Sequence, residues 1–432
     1  MSSNKKLVLR NFFWLFFDKI VKSLGNFILN LQIIIYLSIY DYGLVNLGIS
    51  FGLFVFAFLQ FYREIVVKEY AVSKNSSTDF DICMSSIFLR LLTLLIFFTA
   101  IQISNIGLLP KIIVTSVLLN FSDIPEFFWQ AKGKVHKIII IRCIVFIFTA
   151  LLKIYLLTHN YTINYFASTY IIESILNSII SIVLLRYDLE FHQIQLRKLV
   201  EKSAIIFKSS LPLLFTGLLT ISYMRIDQII IKENIGEIYL GKYVFALNVA
   251  EILQAVPYMF GLAIAPSMFQ ENDRKILLSN TKKSMTYLLV AGIVLIPVSV
   301  VFFAHLSAKY QVEDVKYIFL ILGFGSLPTF MSYIATKYLI LTNQINHFLV
   351  RGIYACVLSM GFNLFFIDSL GLYAPAIAYF TVQWYIGFFS NYFLRKDKDL
   401  FKIQIDAIKS LFLLHTYVDI IFDVKKTILA KR

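Results

Sequence analysis

The chain has 432 residues, 59% of them hydrophobic and 15% charged, with a formal net charge of +14 and a mean hydropathy of +0.75. Soluble domains carry about 25% charged residues, so this composition excludes a soluble globular protein and fits a polytopic helical membrane protein. In such a chain the positive balance sets orientation in the bilayer before it suggests a nucleic-acid partner.

At the N-terminus, Lys5, Lys6 and Arg10 precede an apolar run that reads as a retained span, not a cleavable signal. Twelve apolar spans follow along the chain, at roughly 12–37, 44–62, 82–102, 109–129, 138–158, 163–185, 207–232, 241–269, 285–304, 316–341, 348–367 and 372–394. Each is near the ~20 residues that cross a bilayer. The longest connection, Arg186 to Lys208, is polar and basic and divides the spans into two sets of six. The expected organisation is an N-terminal six-helix lobe at 1–190, a cytoplasmic inter-lobe linker at 191–206, a C-terminal six-helix lobe at 207–396 and an amphipathic cytoplasmic tail at 397–432. The fold class is all-α, a polytopic membrane protein with about twelve transmembrane helices in two six-helix lobes around a central cavity.

Lysine and arginine concentrate in the N-terminus, in 63–81, 130–142, 186–208 and 270–284, and from Arg395 onward. The opposite loops hold only Lys111, Lys232, Lys242, Lys309 and Lys316. The positive-inside rule then places both termini in the cytoplasm. The segments YFASTY (165–170) and YAPAIAY (373–379) occupy matching places in the two halves, as a parallel repeat would require. The tail alternates apolar and basic residues and reads as an interfacial helix on anionic lipid.

Several spans carry polar stripes at helical spacing. Span one has Trp14, Asp18, Lys22, Asn26 and Asn30, and Asp18 before Lys22 is the favourable order for a helical pair. Span five has Arg142 and Lys153, and span six has Thr169, Glu173, Asn177 and Ser181. Span seven carries Ser222, Arg225, Gln228 and Lys232 on one face and Thr220, Tyr223 and Asp227 on another. Span eight has Asn248, Glu251 and Tyr258 beside Pro257, and span ten has Ser326, Thr329, Tyr333 and Lys337. A charge at the bilayer centre costs ~3 kcal/mol on insertion scales, so such residues are usually functional or paired. Arg90, Lys153 and Lys337 also admit a plain reading, in which the head snorkels to the surface. Glu173 and Glu251 lie near mid-span and must be protonated, paired or facing water. Arg225 is either a contact for an anionic ligand or one half of a salt bridge to Glu251.

Enzyme signatures are poor. Asp79-Phe80-Asp81 fits a metal-binding DxD pattern, but it stands in a short loop with no catalytic domain around it. There is no Walker A loop, HExxH, zinc spacing or nucleophile elbow. Cys83, Cys143 and Cys356 fall at or inside apolar segments, where neither a disulfide framework nor a metal site is expected. No metal, cofactor or enzymatic activity is expected.

The stretches LGNFILNLQIIIYLSIYDYGLVNLGISFG (24–52), FLQFYREIVVKEYAVSKN (58–75), FFWQAKGKVHKIIIIR (127–142), RIDQIIIKENIGEIYLGKY (225–243), YLILTNQINHFLVRG (338–352) and FNLFFIDSLGLYAPAIAY (362–379) together resemble the Wzx-type O-antigen and polysaccharide flippases. These are members of the superfamily that also holds multidrug exporters and lipid II flippases. One departure is the Tyr373-Ala374-Pro375-Ala376 start of the last span, where the family commonly has Gly-Ala-Ala. The resemblance implies a transporter of the bacterial inner membrane. It would move undecaprenyl-pyrophosphate-linked oligosaccharide, an O-antigen or capsule repeat unit, from the cytoplasmic to the periplasmic leaflet by alternating access, coupled to an ion or proton. Its partners would be that lipid-linked substrate, membrane lipid, a polysaccharide polymerase and a chain-length regulator. A dianionic pyrophosphate needs fixed cations, for which Arg225, Lys153, Lys337, Lys22 and Arg90 are available. Glu251, Glu173, Asp18 and Asp227 are the coupling candidates. The rival readings are a multidrug or lipid II exporter of the same superfamily and, from another class, an O-antigen polymerase or ligase.

Overall fold

A computed structural model describes residues 35–73, 75–159, 161–190, 192–193, 195–258, 260–261, 273–309, 315–342, 344, 346–393 and 398–412, with isolated positions between 14 and 33. The described chain is all-α. In order, the helices are α1 (Ile39–Gln60), α2 (Arg63–Val72), α3 (Ser76–Ile103), α4 (Leu108–Leu118), α5 (Asp123–Ala131), α6 (His136–Thr158), α7 (Ile163–Leu185), α8 (Leu196–Asn234), α9 (Glu237–Leu253), α10 (Arg274–Lys309), α11 (Lys316–Gly325), α12 (Thr329–Leu341), α13 (Asn346–Leu370), α14 (Tyr373–Gly387) and α15 (Asp399–Ser410). A 3-10 turn covers Phe389–Phe393. Among the described residues, nine stretches are long and apolar enough to cross a membrane. The expected span at 12–37 lies mostly outside the described residues.

The chain divides into two compact units, Met1–Ile229 and Ile230–Arg432. That division falls inside α8. Residues 196–206, expected as part of a linker, are the opening turns of the same 39-residue helix.

In the first unit, α1 opens on Ser38, whose side chain accepts the Asp41 amide (3.1 Å) and donates to the Asp41 carboxylate (2.7 Å), a reciprocal N-terminal cap. One face of α1 carries Gly48 and Gly52. A Cβ on Gly48 would lie 2.9 Å from the Pro110 Cα, and one on Gly52 would lie 3.1 Å from Val117. Small residues here let α1 and α4 approach closely, the usual device where lipid removes the hydrophobic drive between helices. A cluster around Tyr62, Tyr70, Phe127 and Trp129 forms the core of this unit.

The single expected span at 109–129 is two helices. Its axis breaks at Leu119–Ser122 between α4 and α5. The expected span at 316–341 breaks likewise at Ser326–Pro328, between α11 and α12. Proline lacks an amide proton and cannot continue a helical ladder. At the second break α14 closes in tightly: a Cβ on Gly387 would lie 2.6 Å from Pro328 Cβ and 2.8 Å from the Pro328 carbonyl oxygen. Each unit therefore interrupts its fourth predicted span, and each interrupted span lies against the sixth, α4 on α7 and α11 on α14.

The tail begins differently from the expected lipid-bound helix. The apolar face of α15 lies on α10 and α12, with Leu400, Ile403 and Ala407 buried in the core of the second unit. Gln404 donates to the Gly387 carbonyl (2.7 Å) and accepts from Asn391 (3.0 Å). Arg274 pairs with Asp399 at 2.8 Å. Over Asp399–Ser410, protein covers the apolar face of the helix. Residues 413–432 lie outside the described ones.

Candidate functional site

Breaking a helix inside a membrane frees backbone carbonyls that no lipid can satisfy. In the first unit Arg90 meets that need. It is 1% exposed and donates to the carbonyls of Leu59 (3.4 Å), Val117 (3.2 Å) and Asn120. Its guanidinium also faces Asp123 at 3.6 Å and the Phe121 ring at 5.6 Å. Ser178 of α7 takes the other side of the break, donating to the Leu119 carbonyl (3.0 Å) and accepting the Phe121 amide (2.7 Å). Arg90 therefore does not snorkel. Backbone carbonyls engage both of its terminal nitrogens.

Around this break lies an ionic network that sequence reading did not assemble. Arg142 of α6 pairs with Glu126 at 2.6 Å and Asp123 at 3.3 Å. Arg63 of α2 pairs with Glu126 at 2.8 Å and donates to Gln130 at 3.0 Å. Asp123 and Glu126 are buried. Asp18, also buried, lies within electrostatic reach of Arg142. Arg63, Arg90 and Arg142 thus face Asp123, Glu126 and Asp18, and the formal charges balance. Buried ions are tolerated on that condition. Asp123 and Glu126 stand in the first turn of α5, where the helix dipole favours carboxylates.

Lys153 and Glu173, predicted on neighbouring spans, meet. Lys153 is 4% exposed; its ammonium lies 2.8 Å from the Glu173 carboxylate and 4.0 Å from the centre of the Tyr170 ring. Glu173 is the more accessible partner, at 25% side-chain exposure. On α8, Arg225 is half-buried and Asp227 is buried. Gln228 accepts from Ser50 of α1 at 2.6 Å. Lys22 lies outside the described residues.

In the second unit Glu251 is half-buried on α9 and Lys337 half-buried on α12. Glu251 interacts electrostatically with Tyr379. The Tyr379 hydroxyl accepts from Gln254 at 2.6 Å and lies 3.2 Å from Ser326, the first residue of the second break. This break is held by neutral hydroxyl and amide groups, where the first is held by ions.

The motif Phe127-Phe128-Trp129-Gln130-Ala131-Lys132 closes one end of the first unit. Trp129 donates to Asp188 (2.9 Å), Lys134 pairs with Asp188 at 2.7 Å, and Lys137 joins the same carboxylate. Lys132 pairs with Asp79 at 2.9 Å, so the DxD-like acid serves as a brace. Gly133, at φ 75°, makes the turn that brings these side chains together. Burial alone would raise the Asp188 pKa; hydrogen bonds from Lys134, Lys137 and Trp129 outweigh it and hold the carboxyl down at about 2. Among the described residues, no group of His, Cys, Asp and Glu is placed to hold a metal ion.

No protein-family model matches the sequence, and no curated protein matches it. Solved structures do match in fold. A lipid II flippase, MurJ, in an inward closed conformation superposes with a TM-score of 0.69 at 16% identity, covering 94% of this chain and 92% of that one. An inward-facing multidrug-resistance MATE transporter of the MOP superfamily gives 0.61 at 12% identity, over 93% of this chain and 96% of that one. The eukaryotic MATE transporter AtDTX14 gives 0.54 at 10% identity, over 92% and 98%. The chain therefore has the fold of these transporters along nearly its whole length.

Proposed function

We propose that the chain is a flippase that carries an undecaprenyl-pyrophosphate-linked oligosaccharide, an O-antigen or capsule repeat unit, across the bacterial inner membrane by alternating access. The observation that carries this reading is the likeness of fold to a lipid II flippase over 94% of the chain, joined to the Wzx-like order of sequence segments. Lipid II is itself a polyprenyl-pyrophosphate-linked sugar, so the two substrates share the anionic head that fixed cations would capture. Arg225, Lys337, Lys22 and Lys153 are the cations proposed for that head. Arg90 is assigned instead to the scaffold of the first break, because backbone carbonyls engage both of its terminal nitrogens. Glu173, Glu251, Asp18 and Asp227 are the proposed coupling acids.

The MATE likeness favours a second reading, a multidrug exporter of the same fold. Proteoliposomes separate the two. Under the first reading, lipid-linked oligosaccharide placed in one leaflet becomes accessible to a membrane-impermeant glycosidase on the other side, faster with an ion gradient. Gradient-driven export of hydrophobic cations, with no movement of lipid-linked sugar, establishes the second.

A further inference from the structure

The first unit contains an apolar pocket of about 150 Å³ between α3, α5 and α7. Cys83 and Met84 line it from α3, Ile124 from α5, and Ile182, Leu185 and Arg186 from the end of α7. Cys83 and Leu185 are buried, whereas Ile182 and Arg186 are exposed and mark its mouth. An apolar cavity of this kind does not hold water, and left empty its lining forfeits dispersion contacts. In a membrane the adjacent solvent is hydrocarbon. Arg186 directly follows the last residue of α7, where a spanning helix reaches the headgroup layer. At this end of the unit Lys132 pairs with Asp79, both Lys134 and Lys137 pair with Asp188, and Lys202 lies within electrostatic reach of Glu69, Asp81 and Asp79. Arg186 makes no ion pair among the described residues. A guanidinium so placed beside an apolar hole matches a ligand with one hydrocarbon chain and one phosphate.

We propose that this pocket holds a hydrocarbon chain of an anionic phospholipid, with the headgroup phosphate on Arg186. The site is independent of the transported substrate and lies on one unit alone. Cys83 supplies the probe. In full-length protein carrying Cys143→Ser and Cys356→Ser, Cys83 is the remaining thiol, and its alkylation by an apolar maleimide reports whether the pocket is filled. In nanodiscs, replacing phosphatidylcholine by phosphatidylglycerol should slow alkylation about fivefold, the scale of one basic side chain at an anionic surface. Arg186→Gln, an exposed change that leaves the fold intact, should abolish the difference between the two lipids. Equal rates in both discs for the unsubstituted Arg186 protein, or protection by phosphatidylglycerol that survives in Arg186→Gln, overturns the proposal. If Cys83 resists alkylation in both discs, native mass spectrometry decides. Retained phosphatidylglycerol must then exceed phosphatidylcholine and fall in Arg186→Gln; equal retention of the two lipids overturns the proposal.

Discussion

Replacing Arg90 by methionine tests whether this buried cation is scaffold or substrate site. The substitution keeps an unbranched apolar stem and removes every donor. It leaves the Leu59, Val117 and Asn120 carbonyls short of a partner and Asp123 with Arg142 alone. Removing one partner of a buried ion pair costs about 3–5 kcal/mol, and each deprived polar group costs about 1–3 kcal/mol. These terms overlap, so about 4 kcal/mol is a fair total. For a unit of this size that is a fall of roughly 10 °C in the unfolding midpoint, readable from tryptophan fluorescence of the detergent-solubilised protein. Arg90→Lys keeps the charge but loses the planar fork, and should fall between. If Arg90→Met unfolds within about 2 °C of the unaltered protein yet loses transport, the scaffold argument fails and Arg90 belongs with the substrate cations.

Four further outcomes are expected. Truncation after Lys398 removes α15 and uncovers the surface that buries Leu400, Ile403 and Ala407, so the remaining protein should aggregate or unfold early; an unchanged midpoint would refute the packing role of α15. Gly387→Ala forces a Cβ against Pro328 and should destabilise by about 1–3 kcal/mol, while Gly361→Ala, inside α13 where a Cβ meets nothing, should leave the midpoint unchanged or raise it in the same thermal assay. Asp188→Asn should lower the midpoint at neutral pH; because the folded carboxyl is held at about 2, its stabilisation is complete above about pH 4 and is lost as pH falls toward 2, so the gap between variant and parent should close over that interval. Lys153→Met and Glu173→Gln should each destabilise by about 1–3 kcal/mol, discounted for the partial exposure of Glu173, and the double substitution should be milder than the sum of the two; strict additivity in this cycle would refute the pair.

Much of the fold was legible because lipid demands long apolar helices and the charges mark their ends. Lys153 with Glu173 could be proposed as residues needing partners because neither belongs in hydrocarbon. The breaks were harder to read. At 109–129 the apolar count stays high across Leu119–Ser122, and hydropathy averages over the interruption. The local signal was nonetheless present: Asn120, Ser122 and Asp123 are turn and cap residues, and Pro125 follows in the next turn. Gly325-Ser326-Leu327-Pro328 carries the same kind of signal. Asp123 and Glu126 escaped notice because they lay inside a stretch read as one span. Arg90 was read by depth alone, and depth cannot tell a snorkelling head from one bonded to backbone carbonyls. The face of α15 was legible, but whether protein or lipid covers it depends on where α10 and α12 end, which no local pattern records.

The pairing of Lys153 with Glu173 constrains how coupling could work under the proposed function. A carboxylate that already neutralises a buried ammonium is a poor proton carrier, because protonating it strands the lysine. The lysine is equally a poor phosphate ligand while the carboxylate holds it. Each group becomes available only when the other is given a new partner. Under the proposed function a pyrophosphate arriving at Lys153 would supply one and release Glu173, the more exposed of the two. Substrate binding and the release of Glu173 would then be a single exchange, and linkage would make the effect reciprocal. Affinity for a pyrophosphate head should therefore rise in Glu173→Gln, which frees Lys153 without a new partner. Lys153→Met should lose that affinity, with or without Glu173→Gln. A pyrophosphate affinity equal in the parent and in Glu173→Gln would place the exchange elsewhere, among Glu251, Asp18 and Asp227.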